Sequence, residues 1–287
     1  MEGAGVHLRR AFGFGETSEF DPFLLLDDFR NDRPEDFEKG FPWHPHRGIE
    51  TITYVLAGNV DHGDSLGNAG TIGAGDVQWM TAGSGIIHQE MPHGDPEGKM
   101  HGFQLWANLP SSLKMTPPRY QEVQSPEIPE VTDDDGTKIR VICGNVWGST
   151  GPIDGIAADP QYIDVWVPPG KKKTIPVETT RHAFAYVFAG SGKFCNASDP
   201  LEVPTEGAGW TDTSLSEEAD NRSLVLFDSG DEVTVQAGER GIRFLLVSGK
   251  PLEEPVAWYG PIVMNTRDEL QQAFAEFQAG TFLKHAK

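Results

Sequence analysis

Two short stretches each place a pair of potential metal ligands one residue apart. "FPWHPHRGIE" (41–50) carries His44 and His46, and "GIIHQEMP" (85–92) carries His88 and Glu90. Side chains two apart on a strand project from the same face. Each pair would therefore point together, and two neighbouring strands could surround one ion. Imidazole and carboxylate donors suit Fe, Mn, Ni, Zn or Cu. Three imidazoles and one carboxylate on an octahedral ion leave two positions for a substrate or O₂. A single His-x-His often only packs or caps, and His-x-Glu alone is a weaker signal. Together, separated by Gly-rich turns at a spacing that fits a β-meander, they point to metal. Glu50 shares the parity of His44 and His46. It is an alternative carboxylate, and the spacing leaves both open.

The other chemistry-bearing residues read more plainly. His62 is expected in a hairpin at the edge of the pocket or on a surface turn, His93 in the loop after Pro92, and His101 at a strand start. Arg181 and His182 lack partners for a second site. Phe41, Trp43, Trp79 and Met80 either line an apolar cleft for an aromatic ligand or fill a core. Lys171–Lys173 follow Pro-Pro-Gly and read as a solvated turn. The "GSG" and "GAG" runs lack the strand–helix context of phosphate loops. Cys143 and Cys195 make no disulfide framework and read as small core residues.

These residues need strands to hold them, and the chain repeats a strand pattern. "ETITYVLAGNV" (50–60) resembles "HAFAYVFAGSG" (182–192), with Tyr54, Val55 and Gly58 falling on Tyr186, Val187 and Gly190. "GDVQWMTAGSGI" (75–86) resembles "GDEVTVQAGERGI" (230–242). Apolar and polar positions alternate in each copy, as in half-buried strands. Two related β-barrels or sandwiches in tandem follow. The acidic "EIPEVTDDDGTK" (127–138) reads as the linker, so the expected domains are 1–132, which binds the metal, and 133–287. In the second copy His44 falls on Pro176, His46 on Glu178 and Glu50 on His182, while His88 and Glu90 fall near Arg243 and Leu245. The ligand set is confined to the first copy, which favours function over packing. Thr266 and Glu269 form a capping box for one C-terminal helix, and Gly280 closes it. Its apolar face of Leu270, Ala273, Phe274 and Phe277 is expected to pack on the second barrel.

The chain has 287 residues, enough for one large or two medium domains. Its 33 glycines and 21 prolines imply many turns and short strands. Against 23 basic residues stand 43 acidic ones, a net charge of −20 that repels a phosphate backbone. Direct nucleic-acid binding is not expected, and a regulatory role would need a protein partner. No signal-like or membrane-length apolar run and no lipidation motif is found, so the expected location is the cytoplasm, or the nucleus in a eukaryote.

"HPHRGIETITYVLAG", "GDVQWMTAGSGIIHQEMP", "DPFLLLDDF" (21–29), "HGFQLWANLP" (101–110) and "GPIVMNTRDELQQAFAEFQAG" (260–280) resemble the pirin family of bicupins over nearly the whole chain. The resemblance implies an all-β fold of two tandem cupin barrels (double-stranded β-helix, or jelly-roll) with a C-terminal helix and metal only in the first. It implies His44, His46, His88 and Glu90 as ligands, preferring Glu90 over Glu50, and Fe(II) as the one metal per chain, with Mn, Ni, Zn or Cu as substitutes. It also implies quercetin 2,3-dioxygenase-like chemistry, in which O₂ opens a flavonol ring and carbon monoxide is lost, with Glu90 as the catalytic base. The alternative within the family is an iron-dependent, redox-sensing cofactor of transcription regulators that acts through protein partners. A monomer taking a small aromatic substrate and O₂ is the expectation.

Overall fold

The computed structural model describes residues 2–153, 157–195, 200–203 and 218–285. It divides into two compact units: 1–125 together with 252–287, and 126–251. The expected tandem barrels are present, but the boundary lies at 125/126 rather than the expected 132/133, and the second domain ends earlier than expected. The last 36 residues belong to the first unit.

Ten strands build the body of the first unit: β1 (Arg9–Phe12), β2 (Phe23–Asp28), β3 (Phe41–His46), β4 (Ile49–Ala57), β5 (Asn59–Asp64), β6 (Ala69–Ile72), β7 (Val77–Thr81), β8 (Ile86–His93), β9 (His101–Asn108) and β10 (Arg119–Val123). They form a six-stranded sheet in the order β1-β2-β9-β4-β7-β10 and a four-stranded sheet in the order β3-β8-β5-β6. All pairings are antiparallel. Arg47 and Gly48 separate β3 from β4, and these consecutive strands lie in different sheets. Gly48 sits at φ 78°, the left-handed region that glycine enters without steric penalty.

The second unit contains β11 (Glu130–Thr132), β12 (Lys138–Cys143), β13 (Asn145–Val146), β14 (Ser149–Thr150), β15 (Gln161–Val167), β16 (Lys172–Pro176), β17 (His182–Cys195), β18 (Leu201–Glu202), β19 (Ala219–Asp220), β20 (Ser223–Phe227) and β21 (Glu232–Gly249). β13 pairs with β14, and the other strands join one nine-stranded sheet around the long β17–β21 pair. Val141, Ile163, Val165, Val187, Phe194, Phe244 and Leu246 are among the side chains of its core. This interior is filled by aliphatic and aromatic groups, whereas Pro176, Glu178 and His182, which align with His44, His46 and Glu50, are exposed. The repeat is visible in the backbone. Gly58 and Gly190 each follow a register shift and take φ values of 75° and 69°.

The C-terminal segment forms the hairpin β22 (Ala257–Tyr259) and β23 (Ile262–Met264), then helix α1 (Arg267–Gln278). The Thr266–Glu269 capping box is formed, and Gly280 lies at φ 71° just past the helix. Ala273, with Leu270 and Phe274, packs against Ile262, Met264, Phe282 and Ile87, all of the first unit. The expected docking on the second barrel is corrected: β8 and the hairpin offer the apolar surface that α1 covers. Buried Arg47 fastens this segment. Its guanidinium donates to the carbonyls of Ser84 and Phe282 and to Glu276, and lies 4.2 Å from the centre of the Phe282 ring. Breaking such a buried, paired charge costs about 3–5 kcal/mol. Among the described residues no helix is long and apolar enough to cross a membrane.

Candidate metal centre

β3 and β8 are antiparallel neighbours, with His44 opposite His88. Alternation along each strand then brings His44, His46 and His88 together. One ligand atom from each lies within 4.8 Å of the others. The Nδ1 of His44 is 2.9 Å from the Pro42 carbonyl, and the Nδ1 of His46 is 3.1 Å from that of Pro261. A carbonyl can only accept, so both Nδ1 atoms carry protons and both Nε2 atoms are lone-pair donors. Those two Nε2 atoms stand 3.1 Å apart. Two lone pairs so placed call for a cation between them, and about 3 Å separates adjacent imidazole nitrogens on one metal.

His88 is fully buried, and neither ring nitrogen has a hydrogen-bond partner among the described residues. Burial, followed by the neighbouring histidines, holds His46 and His88 well below the usual imidazole range. Both are kept neutral, the form that binds metal. Orphaned nitrogens, fixed tautomers and neutral rings together fit a divalent cation.

Glu90 pairs with Phe41 on one side and His62 on the other. Its Oε1 accepts the Thr53 hydroxyl at 3.0 Å, and Thr53 also lies 2.8 Å from the Gln104 side-chain oxygen. Glu90 stands outside the three-histidine group but lines the same cavity as His44 and His46.

Glu50 is placed elsewhere. Thr53 points at Glu90, so Glu50, three residues earlier on the regular strand β4, projects from the opposite face. There it accepts the Thr81 hydroxyl at 2.7 Å, and burial pushes its carboxyl up to about 7. Among the described residues it has no hydrogen bond to His44, His46 or His88. The shared parity was broken by the corner at Gly48.

A cavity of about 700 Å³ opens over the centre. Phe41, Trp106, Trp258 and Tyr259 are among its walls, with Gln104 and the Arg10–Asp27 ion pair as polar groups. Trp106 meets His46 edge-on at 5.0 Å. Of the expected cleft aromatics, only Phe41 lines it. Trp43 is exposed, Met80 lies in a core cluster with Ile49, and Trp79 shares the Glu50 face of the sheet.

His62 is buried, not on a surface turn. It stacks on Tyr120 at 4.8 Å, sits 5.4 Å from the His88 ring, and its Nε2 is 3.5 Å from Asp64. His93 pairs with Asp61 at the end of β8, and His101 packs on Phe103. Thr53, Gln104, Trp106 and Pro261 were not singled out from sequence. Thr53 was accessible in principle, because it follows Thr51 in the alternation of β4.

The residues 5–107 match the family model described as Pirin, and 162–283 match that of the Pirin C-terminal cupin domain. A pirin-like protein of Caulobacter vibrioides is 45% identical over 98% of the chain and 94% of its own length. Human pirin is 38% identical over 96% of the chain and 88% of its own length. The crystal structure of a quercetin 2,3-dioxygenase from Acinetobacter baumannii superposes with a TM-score of 0.83 at 33% identity, covering 98% of the chain and 93% of that protein. With two cupin domains matched and, among the described residues, its histidine cluster in the first, the chain belongs to the pirin family.

Proposed function

We propose that this protein is a mononuclear iron(II) dioxygenase of flavonol-type substrates, with His44, His46, His88 and Glu90 as the metal ligands. The observation that carries this reading is the convergence of two lone-pair Nε2 atoms, 3.1 Å apart, on a cavity of about 700 Å³ with aromatic walls. That volume suits a ligand of flavonoid size. The likeness to a protein named quercetin 2,3-dioxygenase supports it. Bound iron(II) would supply Lewis acidity toward an enolic hydroxyl and a one-electron couple for chemistry with O₂.

The chain's own groups do the rest. Phe41, Trp106 and Trp258 bind the flat ring system and exclude water from it. Thr53 holds one oxygen of Glu90. The other oxygen takes up the proton of the flavonol 3-hydroxyl, which leaves the ring electron-rich for attack by O₂. The pathway opens the ring and releases carbon monoxide.

The test is an aerobic assay of iron-loaded protein with quercetin. Loss of flavonol absorbance with carbon monoxide release, absent in His46→Ala, is the expected result. No turnover, together with binding of a protein partner that changes with the iron oxidation state, would replace the enzyme by a redox-sensing regulator.

A further inference from the structure

The ligand motifs contain residues that no metal needs. In "HPHRG", Arg47 and Gly48 follow His46, and in "GSGIIH", Gly85 precedes His88. All three serve the C-terminal segment. The Val263 amide donates to the Arg47 carbonyl at 3.1 Å, beside a parallel bridge from Arg47 to Ile262. A Cβ on Gly48 would come within 1.9 Å of the Val263 carbonyl oxygen, and one on Gly85 within 3.0 Å of Phe282. The Lys114 ammonium donates to Gly48 and Val263 at once, at 2.8 and 3.1 Å. Between these fastenings the Pro261 carbonyl meets the Nδ1 of His46, 215 residues away in sequence.

We infer that the β22–β23 hairpin is a positioning element of the metal centre, orienting His46 through the Pro261 carbonyl. The inference rests on the metal reading proposed above. Without that acceptor, His46 could rotate and could carry its proton on either nitrogen. The carbonyl holds one tautomer and one ring plane. Partners of this kind are worth about 10–100-fold in metal affinity. Coupling is reciprocal, so metal must in turn tighten the hairpin.

The anchors at the two ends of the segment bond to groups other than the ligand side chains. Glu254 accepts from the Ser111 amide and hydroxyl and from Asn265, and Glu276 accepts from Arg47 and Lys284. Full-length wild type and a Glu254→Ala/Glu276→Ala variant are titrated with cobalt(II) by calorimetry and visible absorption. Amide exchange over residues 257–283 is followed with and without the metal.

The expected result is one cobalt per wild-type chain and protection of the Val263 region on binding. The variant should bind about 10–100-fold more weakly, with an altered ligand-field spectrum, and a Glu254→Gln/Glu276→Gln variant should recover most of the loss. Wild type that binds cobalt without any change in hairpin exchange overturns the inference and leaves the histidine centre standing. So does a loosened variant that binds within threefold of wild type. Wild type that binds no cobalt overturns the metal reading, and the inference with it.

Discussion

Each imidazole facing the cavity has its tautomer set by a carbonyl, Pro42 for His44 and Pro261 for His46. The Glu90 carboxylate is held instead by the Thr53 hydroxyl. Thr53→Val keeps the shape and deletes that donor, leaving Glu90 free to swing. A fall in kcat/KM of about tenfold is expected, a loss of about 1.4 kcal/mol in transition-state binding. Steady-state kinetics would show it, with unchanged turnover counting against the role of Thr53. Glu50 has a pH signature of its own. Its folded-state carboxyl, pushed up to about 7 by burial, titrates near 4.5 when unfolded. Between those values the folded state keeps a proton that the unfolded state has released. Stability therefore falls as pH rises through this window and levels off above the folded value, by up to about 3 kcal/mol. Glu50→Gln removes the dependence, so urea unfolding should show the variant gaining on wild type at pH 8 relative to pH 5. An equal difference at both pH values would mean that Glu50 is ionised throughout.

Among the elements, the corner between β3 and β4 decides most. At Gly48 the chain leaves one sheet for the other, and the close approach of Val263 leaves no room for a side chain. Gly67 has a similar φ of 85°, but a Cβ there meets nothing within 4 Å. Gly67→Ala should cost only the left-handed strain, about 1–2 kcal/mol. Gly48→Ala adds a backbone clash and should cost more than 4 kcal/mol, in the exceptional range for one substitution. Denaturant melts of the two variants separate strain from space, and equal losses would contradict the packing at Gly48. The same corner marks how far the sequence could be read. Strand alternation, the internal repeat and the helix cap are local signals, and they placed His44, His46 and His88 together. Glu50 misled because parity does not survive a change of sheet. His62 misled because its loop-like neighbours hide a strand, β5, paired on both sides. The docking of α1 and the Pro261 contact were not legible, because an amphipathic face states that it is covered and not by what.

Over the whole molecule the charge is −20. A concentrated basic stripe built from Arg9, Arg10, Arg30 and Arg33 was the arrangement that could have offset the mean field. Folding instead sets acids against three of these four. Arg10 binds Asp27 and Glu2, Arg30 binds Asp28, and Arg33 binds Glu35 and Asp36. A phosphate would have to displace a carboxylate that is already within hydrogen-bonding distance, against a net negative field that low salt leaves unscreened. Backbone-driven binding strengthens as salt falls because cations are released from the duplex, and it needs unneutralised lysine or arginine to release them. Purified protein is therefore expected to give no shift of a duplex DNA fragment at about 20 mM salt, where the Debye length exceeds 10 Å. Replacing Glu2 by glutamine and Asp27 and Asp28 by asparagine removes these acids from Arg10 and Arg30 and provides the positive control for local basicity. A shift by wild type that grows as salt is lowered would show that the ion pairs open to phosphate, and any role in transcription would then no longer require a protein intermediary.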